Sequence, residues 1–437
     1  MSSDPTLPMG QVDLFGQPMA TPASPARASG APRAATAPMA GGTAPRPQRP
    51  KATRPDASGQ GSLITQDDGL AGMVSIADAH ADADATADAR SDRDAGDVTG
   101  KRTDPQSPQR RRRGGVQAAP ALDTDVALAS ALSPRIRIGT SSWSYPGWQG
   151  QVWAGEHSES TLSRQGLAAY AQHPLLRAVG IDRGFYQSLT ASQFERYANL
   201  VPDDFRFTVK APSAVTDALV RAEDGRGREG NVAFLDPALA LGSFVEPAFE
   251  GLGGKIGALV FQISPLPLDM LARMPEQLDR LWAMLKALPA PAGRPTGALM
   301  AVEVRDAEWL TPDFVALLRD TGTCYCLGLH PKLPPIQAQL PLLRALWPGP
   351  LVARWNMHRQ HGPYGYEDAE KRYGRYDQML DPDPETRATL AKVMHATAEA
   401  GHEVLVTISN HAEGSAPYSA RALAQAVIER GLPRAEP

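Results

Sequence analysis

Cysteine is nearly absent: Cys324 and Cys326 are the only two in 437 residues. They stand two apart in a β-rich run, so both side chains should share one face. That spacing makes neither a disulfide framework nor a zinc site, and it fits a reduced, cytoplasmic setting. No apolar run approaches the ~18 residues that suggest a membrane span. The N-terminus lacks a basic stretch followed by an apolar one, so no secretory signal is expected either. The nine histidines are scattered. Only His358-x-x-His361 and His411-x-Glu413 are close pairs, and neither has the support of a site with three protein ligands and an open position. No metal and no other cofactor is therefore expected.

Aromatic residues are missing from one long stretch. The first 130 residues hold only Phe15, where an even spread of the seven Trp, ten Tyr and ten Phe would place about eight. Ala, Pro, Ser, Gly, Asp and Arg dominate there. Such a segment buries too little apolar surface to offset ~1–2 kcal/mol of chain entropy per ordered residue. Residues 1–130 are expected to be a disordered, low-complexity tail. The formal net charge of -4 conceals blocks of opposite sign: acidic "DAHADADATADARSDRDAGD" and basic "KRTDPQSPQRRRRGG". Both read as solvated tail. The run Arg110, Arg111, Arg112 and Arg113 has a second reading, weak contact with nucleic-acid phosphates without sequence preference.

From Pro134 the texture changes. Eight short β-rich runs follow: "RIRIGT", "AVGID", "FRFTVKAP", "IGALVFQI", "ALMAVEVR", "CYCLG", "LVARWN" and "EVLVTISN". Helical segments such as "TASQFERYANLV", "TPDFVALLRDTG" and "SARALAQAVIERG" lie between them. Thr190 and Thr311 are candidate N-caps, and Gly322, Gly401 and Gly431 candidate C-caps. Alternating strand and helix implies a parallel sheet, and eight units over ~300 residues imply a closed α/β, TIM-like (β/α)8 barrel over residues 134–433. The alternative is an open doubly wound sheet, which the lack of G-x-G-x-x-G after the first strand disfavours.

Barrel strands turn alternate residues to helices and lumen. Phe205, Phe207 and Val209 then share one face, and Arg206, Thr208 and Lys210 the other. The same parity puts Val302 and Val304 against helices and Glu303 and Arg305 inside, together with Asp182, Gln262 and Arg354. All of these inward polar residues fall near the carboxyl ends of their strands, where barrel enzymes bind substrate. Three cations face two anions there, a surplus suited to a phosphate or carboxylate. A self-satisfied ion-pair network closing the barrel is the alternative reading.

Blocks "RIGTSSWSYPGWQG", "FYQSLTASQFERYANLVPDDFRFTVKAP", "ALVFQIS", "AVEVRDAEWL" and "SNHAEGSAPYSARAL" occur in that order. Together they resemble the signature blocks of the YecE-like family, a (β/α)8-type barrel classed as a domain of unknown function. The resemblance spans residues 134–432 and implies the barrel, but supplies no activity. Its blocks include Trp143, Tyr145, Trp148, Phe185, Tyr186, Lys210, Gln262, Glu303, Arg305, Arg354 and Asn410. Two departures stand out. After the second strand an acidic residue, isoleucine and asparagine pattern reads Gly180-Ile181-Asp182. After the seventh, Arg-x-His-Gly reads Arg354-Trp355-Asn356-Met357.

Lys210 and Glu303 are the candidate acid–base pair, joined by Asp182. A lysine among cations in a partly dry pocket should lose basicity, while Glu303 opposes that shift. Lys210 would then serve as general base or form a Schiff base with a sugar carbonyl. Arg305 and Arg354 would hold the anionic group, with Gln262 and Asn410 as further binding residues. His411 either shuttles a proton or caps a loop. Trp143 and Tyr186, with Tyr145 and Trp148, either stack on a sugar or base or plug the barrel top. The functional expectation is an enzyme (lyase, isomerase or hydrolase) acting on a small anionic, sugar-like or nucleic-acid-derived substrate. The alternative is a non-catalytic barrel binding an anion or partner.

One stretch of the tail stands apart. "QVDLF", residues 11–15, resembles the pentapeptide with which bacterial proteins dock onto the replication sliding clamp. Leu14 and Phe15 would fill an apolar pocket, and Gln11 would fix register. The competing reading is a tail remnant or a segment folded back on the barrel.

Overall fold

The computed structural model describes residues 115–221 and 227–431. All eight β-rich runs become strands. In chain order they are β1 (Ile136–Thr140), β2 (Leu176–Ile181) and β3 (Arg206–Lys210), then a small antiparallel pair, β4 (Leu219–Arg221) and β5 (Gly227–Gly230). β6 (Ile256–Gln262), β7 (Leu299–Glu303), β8 (Cys324–Leu329), β9 (Leu351–Trp355) and β10 (Val404–Ile408) complete the set. Each barrel strand pairs in parallel with the next, and β10 closes on β1. The open sheet is thereby excluded.

Local chemistry sets the helix ends. Thr190 forms a reciprocal capping box with Gln193 at the start of the helix Ala191–Ala198. Thr311 accepts from the Phe314 N–H ahead of the helix Pro312–Thr321, and Gly322 ends that helix in the left-handed region at φ 59°.

The two strand faces carry different side chains. Outward residues such as Phe207, Val209, Leu259, Phe261, Val302, Leu327 and Val406 join one large core with the surrounding helices. Each such side chain contributes ~1.5–3 kcal/mol by leaving water. Inward residues are small: Ala178, Ala258, Val260, Ala301, Cys326, Val352 and Leu405 form a separate cluster inside the barrel. Cys324 packs beside that cluster, so both cysteines face the lumen as their spacing requires. The apolar plug fills the lower lumen and leaves the upper layer to polar groups.

One boundary needs correction. Residues 123–130, read from composition as tail, belong to the helix Asp123–Ala131, which packs on the last helix, Ala416–Gly431. Asp125 is 1% exposed and accepts two bonds from Arg421, with His173 Nε2 3.4 Å from its Oδ2. Farther upstream, Ala119 N donates to Val152 O at 2.9 Å and Ala154 N to Gln117 O at 3.0 Å. An ion pair anchors this segment rather than a dense apolar stripe, which is why composition missed it.

Candidate functional site

The carboxyl ends of the barrel strands open into a cavity of about 770 Å³. Lys210, Asp182, Gln262, Arg305 and Arg354 all line it, as strand parity requires. Beneath them sits Glu303, fully buried. Its Oε2 accepts from Arg354 Nη1 at 2.8 Å, and its Oε1 from Asn356 Nδ2 at 2.9 Å and from Arg305 Nη1. Gln262 Oε1 takes a further bond from each arginine, both 2.9 Å. Arg354 Nη2 then reaches Asp182 Oδ2 at 2.7 Å.

Register explains the assembly. Gln262 and Glu303 are direct partners on β6 and β7. Arg354 comes from β9, two strands away from Glu303, and its partner on the intervening β8 is Gly328. A glycine there leaves room for the two long side chains to meet.

These contacts set the protonation states. Burial pushes the Glu303 carboxyl up, but Arg305 and Arg354 outweigh it and bring it down to about 2. For Arg354 burial acts against the charge, while Asp182 and Glu303 overcome it and raise its basicity. Lys210 behaves oppositely. Burial lowers it to about 7; Asp182 and Glu303 pull upward, and Arg354 and Arg305 push down. Its Nζ lies 3.6 Å from the centre of the Phe185 ring. Among the described residues no carboxylate oxygen comes within ion-pair distance of it.

Aromatic side chains build the walls. Trp143 and Tyr186 line the cavity with Tyr145, Tyr366 and Tyr376. Trp143 is pinned by its indole N–H to Leu162 O at 3.2 Å, whereas Tyr186 is exposed. His411 also lines the cavity, and both its ring nitrogens are engaged: Nε2 lies 3.1 Å from Tyr376 Oη and Nδ1 3.0 Å from Ser409 Oγ. Burial lowers His411 to about 4, so it is neutral at pH 7.

Asn410 departs from expectation. It is fully buried outside the cavity wall, and its Oδ1 accepts from Trp148 Nε1 at 3.2 Å and Ala416 N at 2.8 Å. It therefore holds the Trp148 plug and the start of the last helix, not a ligand in this cavity. Trp148 is equally buried, which makes it a plug rather than a stacking surface.

Tyr366 and Tyr376 went unrecognised in the sequence. They sit in the connection after β9, where four of the ten tyrosines fall between positions 364 and 376. That density was the available signal. Tyr366 packs edge-on against His411, with centroids 5.5 Å apart. Gln11, Leu14, Phe15 and the arginines at 110–113 lie outside the described residues. Among the described residues no three His, Cys, Asp or Glu side chains gather as a metal-ligand set, and no helix is long and apolar enough to cross a membrane.

Comparison with known proteins gives the family. A search of the curated proteins finds none similar. A DUF72 family protein from Enterococcus faecalis V583 is 20% identical, over 67% of this chain and 95% of that one, with a TM-score of 0.45. Another from Thermotoga maritima MSB8 is 20% identical, over 66% and 98%, with a TM-score of 0.43. The model of the family "Protein of unknown function DUF72" matches residues 137–437. Covering more than half of the chain, that match means that the chain belongs to the DUF72 family, to which the YecE-like proteins correspond.

Proposed function

We propose that the protein is an enzyme acting on a small anionic, sugar-like or nucleic-acid-derived substrate in the barrel mouth, with Lys210 as its reactive amine. The observation that carries this reading is the setting of Lys210: a buried amine, brought down to about 7, beside two guanidinium groups on the wall of a 770 Å³ cavity. An amine that is half neutral near pH 7 works as base or nucleophile, which an ordinary lysine does not. Each guanidinium has five N–H donors, so both retain some for a ligand after their bonds to Glu303, Gln262 and Asp182. Glu303 takes a different part from the one its sequence position suggested. Fully buried and bound by Arg305, Arg354 and Asn356, it serves to hold the arginines rather than to exchange protons.

The test is a panel of phosphorylated sugars and of abasic and nicked DNA, scored first for binding and then for turnover. Lys210→Met should abolish turnover while a bound anion is retained. Binding without turnover for every compound would favour the second reading, a non-catalytic anion-binding barrel. The observation behind that alternative is the network itself, in which two arginines already face two carboxylates. Recruitment to the sliding clamp through Gln11, Leu14 and Phe15 belongs to either reading. A peptide spanning residues 7–19 should bind purified clamp with about micromolar affinity, and the Leu14→Ala, Phe15→Ala pair should abolish that binding.

A further inference from the structure

We infer that Lys210 is a nucleophile that forms an imine with an anionic aldehyde or ketone, and that Gln262 donates the hydrogen bond that receives the carbonyl oxygen. This rests on the anionic-substrate reading above and deepens it. Gln262 is 1% exposed, and its Nε2 is buried without a hydrogen-bond partner. Its orientation is fixed by chemistry: Oε1 accepts from Arg305 and Arg354, neither of which has an acceptor to offer, so the amide cannot be reversed. Nε2 is thereby turned away from both guanidinium groups. A buried N–H donor left without a partner is a standing cost in a folded protein, and Gln262 is among the residues that line the cavity.

The strand carrying Gln262 is the neighbour of the strand carrying Lys210. Lys210 pairs with Val260, two residues before Gln262 and on the same inward face. Lys210 and Gln262 are thus diagonal neighbours by register, and both residues line the cavity. Addition of an amine to a carbonyl needs that pairing. The nitrogen lone pair forms the C–N bond as the C=O π pair moves onto oxygen, and an N–H donor stabilises the charge developing there. The proton lost from nitrogen passes to the oxygen through solvent in the open cavity, giving a carbinolamine. The hydroxyl then leaves with a second proton as water, and the C=N bond forms, so one water is released per imine. Phe185 covers Nζ at 3.6 Å, and its ring face attracts the ammonium, so burial rather than this contact is what makes the amine readier to lose its proton.

The experiment uses the full chain with sodium cyanoborohydride and two probes, glyoxylate and glyceraldehyde 3-phosphate. Intact mass and peptide mapping locate the reduced adduct, and calorimetry with glycerol 3-phosphate, which has no carbonyl, measures anion binding separately. The expected result is one adduct at Lys210, absent from Lys210→Met. Its rate should rise with pH to a midpoint near 7, against about 10 for surface lysines. Gln262→Glu keeps an oxygen for both arginines but lacks the donor; its added charge raises the amine, so rates are compared on the alkaline plateau. There it should form the adduct about ten-fold more slowly. An unchanged plateau rate would overturn the assignment of Gln262. Glycerol 3-phosphate binding with no adduct at Lys210 would overturn the imine and leave the anion-binding reading standing. Neither binding nor adduct would overturn both.

Discussion

A Cβ on Gly328 would stand 3.2 Å from Glu303 Oε1, and that gap is what lets Arg354 reach Glu303 across an intervening strand. The neighbours that would have to yield are Glu303 itself and Leu333, whose Cδ1 would be 3.1 Å away. A single methyl asks only for a few tenths of an ångström. Gly328→Ala should therefore come out close to neutral, because the lower entropy of its unfolded chain offsets the crowding. Gly328→Val has no such escape and should lose about 1–3 kcal/mol through overpacking. Urea unfolding of the three proteins checks the order, and equal stability of the valine variant and the parent would refute the packing argument.

Glu303 anchors two arginines, and its loss should be felt in both stability and pH response. Glu303→Gln leaves Arg305 and Arg354 in a buried layer with only Asp182 to balance them, at a cost of about 3–5 kcal/mol. The sign of the pH dependence follows from the depressed carboxyl. Its stabilisation is complete above the unfolded value of about 4.3 and is lost as pH falls toward about 2. The parent should thus weaken steeply between those limits and the variant much less. Parallel slopes in acid titrations of stability would show that Glu303 is not held ionised.

The barrel and the inward set Asp182, Lys210, Gln262, Glu303, Arg305 and Arg354 were legible because strand parity is a strict period of two. Once eight strands are recognised, each inward position near a carboxyl end is fixed. The expectation for Asn410 came from the family blocks rather than from parity, which turns it outward with Val406 and Ile408. Tyr366 and Tyr376 escaped because they begin and follow the short helix Tyr366–Tyr373 in the connection after β9, where strand parity does not reach. The helix Asp123–Ala131 escaped because its anchor is one carboxylate whose partner lies 296 positions away. No local pattern reports such a pairing.

That anchor gives a second stability test. Burial pushes the Asp125 carboxyl up, but Arg421 and His173 outweigh it and hold it well below the usual carboxylate range. A chain beginning at Gly115 should melt like the full-length protein, whereas one beginning at Ser133 should lose about 2–4 kcal/mol, since Arg421 keeps some exposure. Asp125→Asn in the full chain should reproduce most of that loss at neutral pH. The contribution is present above about pH 4 and fades as acid protonates Asp125, so the variant and the parent should converge at low pH. A Ser133 chain as stable as the Gly115 chain would mean that the helix rests on the barrel without supporting it.

Lys210 makes the opposite prediction, that removing a site residue stabilises the fold. Its amine titrates near 7 in the folded protein and near 10.4 when unfolded. Below pH 7 both states bind the proton, and the folded state bears the full penalty of a buried ammonium beside Arg305 and Arg354. Between pH 7 and about 10 the unfolded chain holds the proton that the folded protein has released, so stability rises with pH in that window. Lys210→Met, which places an apolar chain against Phe185, should therefore be more stable than the parent at pH 6 by about 2–4 kcal/mol. The advantage should shrink steadily and vanish near pH 10. Chemical unfolding at pH 6, 8 and 10 measures it directly. A bound anion should push the amine back up and flatten the parent's pH dependence. A methionine variant weaker than the parent at pH 6 would show that the ammonium is well paired in the fold, and the argument for a reactive amine would fall with it.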